Sequence, residues 1–174
     1  CYVMTPMGGK ERGLFLFPQV GDLVVLGYLE NDIHRPIVLG AYWNSETKPP
    51  QAIKNGKNED YLLKTPKNVE MTLHDEDKKQ KLTIKMPSGI VVEIDDVKQI
   101  VSTKNKGGDT MLSMKMKDGE IVLKAKSKVV LNAADKAKII LEKSGNITIQ
   151  GNGAIKLDGQ SIAEKSKGKV DIQG

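Results

Sequence analysis

SGNITIQGNGAIKLDG, residues 144–159, contains one eight-residue form twice: a polar residue, glycine, any residue, an apolar residue, a polar one, an apolar one, a polar one and a small one. Two apolar side chains separated by one residue lie on the same face of a strand, and glycine or asparagine supplies the positive φ of a tight turn. DGEIVLKA (118–125), with Val122 in the central slot, and KGKVDIQG (167–174) follow the same form. Val129-Leu131 and Ile139-Leu141 fit between them at intervals of eight to ten. Upstream the same alternation continues through Met71-Leu73, Leu82-Ile84-Met86, Ile90-Val92-Ile94 and Met114-Met116. The pattern predicts strand after strand, each with one apolar face. Ala133 to Leu141 is the one stretch that also tolerates a helix. A longer echo, offset by 21, links LKTPKNVEMTLHD (63–75) to IKMPSGIVVEIDD (84–96), matching Pro66 to Pro87 and Asn68 to Gly89. Repeats on this scale indicate stacked units.

An eight-residue unit supplies one short strand and a turn, too little to enclose a core by itself. A single-chain coil needs roughly 20 residues or more. Three chains around one axis solve the problem, because the inward aliphatic side chains meet and each strand edge finds a neighbouring chain. The axis-facing set is expected to be Ile121, Leu123, Val129, Leu131, Ile139, Leu141, Ile147, Ile149, Ile155, Leu157, Val170 and Ile172. The 21-residue echo, taken alone, equally fits a single-chain β-helix.

Composition separates a front segment from this array. Six of the seven aromatic residues lie in the first 50 positions, and none follows Tyr61. Residues 14–29 (LFLFPQVGDLVVLGYL) predict two strands broken at Pro18 and Gly21-Asp22, and 36–43 (PIVLGAYW) predict a third. The expected organisation is all-β: a small barrel over 1–50, a linker over 51–60, and a trimeric needle over 61–174. No apolar run reaches membrane-span length, and no signal-peptide pattern is present. The net charge of +5 resides in the second segment, with 23 lysines against 17 acids from 51 onward. Alternating signs along that segment describe a solvated face, so nucleic-acid binding is not expected.

Catalytic and metal chemistry find no support. His34 and His74 stand 40 residues apart without a Cys or His at ligand spacing. Asp75-Glu76-Asp77 and Asp95-Asp96 close the two echoed units and read as solvated turns, not a calcium site or a glycosidase pair. Gly151-Asn152-Gly153 lacks the lysine, serine and helix of a phosphate loop. No cofactor is expected, and the single Cys1 excludes an intrachain disulfide framework.

At 17–43, FPQVGDLVVLGYLENDIHRPIVLGAYW resembles the OB-fold barrel of the spike family of contractile injection systems, through FPQVGD (17–22), Asn31-Asp32 and RPIVLGAYWN (35–44) followed by Pro49-Pro50. That family includes the valine-glycine repeat proteins of type VI secretion, phage baseplate hub spikes and the spikes of extracellular injection particles. The resemblance implies a homotrimer with a barrel base and a β-helical needle, driven through a target envelope by sheath contraction. It also implies hub, baseplate and tail-tube proteins at the base, and a location on a phage tail, injection particle or secretion apparatus. The family's usual first strand and upstream hub domain are missing before Cys1, so a fragment or reduced form is expected. No lysozyme-like segment follows the barrel, and the end at KVDIQG lacks paired iron-binding histidines, which leaves room for a separate tip-capping protein. The rival readings are a β-helical polysaccharide-degrading enzyme, which would need a groove of aromatics and acids, and a glycan-binding fibre, which would need longer loops.

Overall fold

The structure, a computed structural model, describes residues 1–53, 56–161, 163 and 165–168. Two compact units divide the chain, Cys1–Asn58 and Glu59–Gly174. Both are built from strands, and the only helical element among the described residues is a single 3-10 turn at Leu29–Asn31.

In the first unit, β1 (Tyr2–Val3), β4 (Val24–Tyr28) and β5 (Pro36–Ala41) form a three-stranded sheet, while β2 (Gly8–Gly9) and β3 (Arg12–Gly13) make a separate short hairpin. β5 is central: it runs parallel to β1 and antiparallel to β4, with a register shift between Val25 and Leu26. Branched residues in both long strands favour extended backbone. The connection between them turns through Glu30 and Asn31, both at positive φ, and Leu29 N–H donates to the Arg35 carbonyl at 3.0 Å. Val38, on the central strand, is the single buried hydrophobic residue among those described, at 9% exposure.

The sheet is open, and no closed barrel forms among the described residues. The strand expected near 14–17 is absent. Leu14 N–H donates to the Met7 carbonyl at 2.9 Å, but the chain beyond it has no ladder partner. Pro18 then removes a donor. The predicted turn at Gly21-Asp22 is present: Asp22 N–H donates to the Gln19 carbonyl, and the Asp22 carboxylate accepts from Gln19 N–H at 2.7 Å.

The second unit begins with seven strands of five residues each: β6 (Asp60–Lys64), β7 (Glu70–His74), β8 (Lys81–Lys85), β9 (Val91–Asp95), β10 (Ile100–Lys104), β11 (Met111–Lys115) and β12 (Glu120–Lys124). They pair antiparallel in sequence order as one meandering sheet. A three-stranded meander follows, made of β13 (Lys128–Ala133), β14 (Ala137–Glu142) and β15 (Ile147–Gly151). Residues 154–158 carry no regular secondary structure.

The 21-residue echo is thereby explained, and it is not a coil. It is a hairpin repeat in which β6-turn-β7 is followed by β8-turn-β9. In the first turn Asn68 N–H donates to the Thr65 carbonyl at 2.9 Å, and in the second Gly89 N–H donates to the Met86 carbonyl at 2.8 Å. The matched residues Asn68 (φ 60°) and Gly89 (φ 86°) hold the left-handed position that closes a three-residue hairpin loop.

The pairing also differs from expectation. Within each of the two sheets the edges assigned by sequence to neighbouring chains are paired by the next strand of this chain, because turns of three to six residues are long enough to reverse it. The region open to a helix, Ala133 to Leu141, instead forms the β13–β14 turn at Ala134 and Asp135, both at positive φ, and then β14. Alternating lysines and branched residues there match a strand with two unlike faces.

Candidate functional site

Strand register sorts the seven-stranded sheet into two unlike faces. Residues directly opposite in an antiparallel pair share a face, so the pairings can be followed across all seven strands. One row reads Tyr61, Leu73, Leu82, Ile94, Val101, Met114, Ile121, and the next reads Leu63, Met71, Ile84, Val92, Thr103, Leu112, Leu123. Thirteen of these fourteen side chains are apolar, and Thr103 is the exception. Among the described residues no second layer covers them: Ile121 is 70% exposed, and Tyr61, Leu73, Ile94 and Leu123 are exposed as well. A soluble chain rarely leaves so large a contiguous apolar surface bare unless something binds there.

The opposite face is polar, and it is the better covered of the two. Ser113 and Asp95 on it are 4% and 5% exposed, lower than any residue on the apolar face. Its flanking rows carry cross-strand ion pairs: Lys64–Glu70 at 2.7 Å, His74 Nδ1–Asp60 at 2.6 Å, Lys81–Asp95 at 3.3 Å and Lys115–Glu120 at 2.6 Å. Long charged side chains roof the central Thr72, Thr83, Ser102 and Ser113 row with their alkyl stems. The Lys64 ammonium, hydrogen-bonded to Glu70, holds its carboxyl below the ordinary range. The Lys98 backbone N–H does the same for Asp95, and the Asn105 amide for Asp109. The Lys115 ammonium is raised by its hydrogen bond to Glu120. Solvent screens exposed pairs of this kind, so they mark the face that meets water more than they hold the sheet together.

The three-stranded sheet repeats the arrangement. Val129, Leu131, Ile139, Leu141, Ile147 and Ile149 are mutually opposite and share one face, with Ile147 67% exposed. Of the residues expected at the axis, Ile121 and Leu123 therefore end the two apolar rows of the first sheet, and these six form the apolar face of the second. Ile155 and Leu157 lie in the stretch without regular structure, both exposed. Val170 and Ile172 lie outside the described residues. The same apolar face extends back through β11 to Tyr61 on β6, in line with the alternation at Met71-Leu73 and Leu82-Ile84.

Candidate catalytic groups assemble nothing comparable. His34 is exposed, and its backbone N–H donates to Asp32. His74 is held between Asp60 and Glu76, with Nε2 3.5 Å from the latter. Asp75, Glu76 and Asp77 lie in the β7–β8 turn, and Lys79 pairs with Glu76. Among the described residues no group of three or more His, Cys, Asp or Glu is placed to hold a metal ion. Gly151 ends β15, and Asn152 N–H donates to the Lys136 carbonyl, as in a strand-end turn.

Residues 1–43 match the family described as the type VI secretion system/phage-baseplate injector OB domain. A 55-residue stretch is 36% identical to the type VI secretion system spike protein VgrG5 of Pseudomonas aeruginosa, covering 32% of this chain and 7% of that protein. The chain thus spans a small part of the length of this curated relative. The likeness to the injector OB domain of type VI secretion systems and phage baseplates thus lies in the first 43 residues.

Proposed function

We propose that this chain is a non-enzymatic spike segment that works as a homotrimer, transmitting sheath force to a target envelope. One observation carries the reading: an apolar face spanning seven consecutive strands, continued in kind on the next three and left exposed among the described residues. Burying a half-exposed apolar side chain yields about 1 kcal/mol, so the thirteen in the two rows supply on the order of 10 kcal/mol per chain toward the cost of association. Each chain would contribute its own hydrogen-bonded sheet and turn the apolar side to a common axis. Axial load would then meet intrachain ladders on every face and a shared aliphatic core inside.

Hub, baseplate and tube proteins at the base, a capping protein at the tip and transient contact with a membrane complete the proposal, supported by the family match at the front. The test replaces Ile147 and Ile149 with aspartate in the full-length protein made by its native producer. The reading predicts loss of trimers and of assembled, injection-competent particles. Normal assembly would mean these side chains do not face a partner chain.

A further inference from the structure

The strand ends of the seven-stranded sheet are charged oppositely. One end comprises the row Lys64, Glu70, Lys85, Val91, Lys104, Met111, Lys124 and the turns 65–69, 86–90, 105–110 and 125–127; it carries seven lysines and two carboxylates, a net of +5. The other comprises the row Asp60, His74, Lys81, Asp95, Ile100, Lys115, Glu120 and the turns 75–80, 96–99 and 116–119; it carries six lysines and eight carboxylates, a net of −2 with histidine neutral. Much of this charge has no ion-pair partner among the described residues. Among the described residues, Lys67, Lys85, Lys104 and Lys106 have no carboxylate within 4 Å, and Asp75, Asp77, Asp96 and Asp118 have no cation within that distance.

Both ends are also shaped. Lys85, Lys104 and Lys106 line an open groove beside Gly89 and Gly108, where the hairpin tips approach so closely that a Cβ on Gly89 would come within 2.6 Å of the Lys106 Cβ. At the opposite end Asp75 and Asp96 border an open depression floored by Tyr61, Leu73, Leu82 and Ile94. Those four belong to the apolar row, so whatever covers that row also meets the two free carboxylates.

We infer that the basic strand-end of one chain docks against the acidic strand-end of the next copy, so that the sheets join head to tail around the ring. This rests on the proposed trimer and specifies how its copies recognise each other. A contact between two basic ends would oppose seven lysines with seven, a repulsion that disfavours that edge-to-edge twofold pairing and selects the heterologous contact from which closed rings are made. Alternate charges along the sequence are thus sorted by the hairpin fold into two complementary borders.

The experiment measures trimer dissociation on dilution for the unaltered chain, Lys104→Glu/Lys106→Glu, Asp75→Lys/Asp96→Lys and all four substitutions together, with circular dichroism on each. Each double reversal is expected to raise the dissociation concentration about tenfold or more with strand content retained, and the fourfold variant to recover most of the loss. In 1 M salt, where the screening length is about 3 Å, the differences should shrink. The opposite sign overturns the inference: relief of crowding within one chain would make Lys104→Glu/Lys106→Glu as stable as the parent or more so. A fourfold variant no better than the doubles overturns it too, with the trimer itself intact. An unaltered chain that is monomeric would overturn the trimer reading underneath.

Discussion

Ile121 and Val122 are neighbours on β12, and they point to opposite faces. Ile121 ends an apolar row and is 70% exposed in the single chain, whereas Val122 lies on the polar face opposite Ser113 and is half-buried. Judged from one chain alone, aspartate should do more harm at 122 than at 121. Assembly through the apolar face reverses the order. Ile121→Asp would forfeit about 1–2 kcal/mol of burial per chain and place a carboxylate in the shared core, a further penalty of several kcal/mol at each of three sites. Val122→Asp would cost about 1–2 kcal/mol of lost packing on a face that water reaches. Urea unfolding at several protein concentrations reads both effects. The Ile121 variant should lose the concentration dependence of its midpoint, and the Val122 variant should keep it. A more damaging Val122→Asp, with Ile121→Asp still concentration-dependent, would refute the reasoning.

Gly89→Ala should lower the thermal midpoint, by about 1–3 kcal/mol of strain, since φ is +86° and the new Cβ meets Lys106; Asn68→Gly at the echoed position should be neutral or stabilising by differential scanning calorimetry. Thr103→Val would complete the apolar row between Val92 and Leu112 and should raise the unfolding midpoint of the assembly by up to about 1 kcal/mol per chain, read in the same urea titration. Glu70, Asp95 and Asp109 have carboxyls lowered from their ordinary values. Their contribution is therefore present above the unfolded carboxyl pKa, about 4, and is lost as pH falls through the lowered folded values. Lys115 is raised, so its contribution holds at neutral pH and is lost only above the ordinary lysine pKa. Stability followed against pH should thus plateau near neutrality and fall on the acid side, and Asp95→Asn should flatten part of that fall.

Much of this architecture was legible because a period of two survives without interruption. Apolar residues at alternate positions fixed strand identity from Met71 to Ile149, and the match of Asn68 to Gly89 paired two residue types that both tolerate positive φ. What the alternation could not tell is where each strand's hydrogen bonds go. An eight-residue unit satisfies a neighbouring chain or its own successor equally well on paper, and only the short reversals at 65–69, 86–90 and 105–110 decide for the successor. The borders of opposite charge were hidden for the same reason. Lys85, Lys104 and Lys106 are scattered in sequence, and antiparallel pairing brings them to one end. At the front, Leu14 to Phe17 have the composition of a strand, but a strand also requires a partner, and composition is silent on that.

The central claim is that the apolar face is closed by two further copies of the chain. Mass in solution, measured by analytical ultracentrifugation across a hundredfold range of concentration, tests it most directly. The account predicts one species at three times 19.1 kDa that persists on dilution into the nanomolar range. A stable folded monomer at every concentration, with its apolar rows in water, would contradict it.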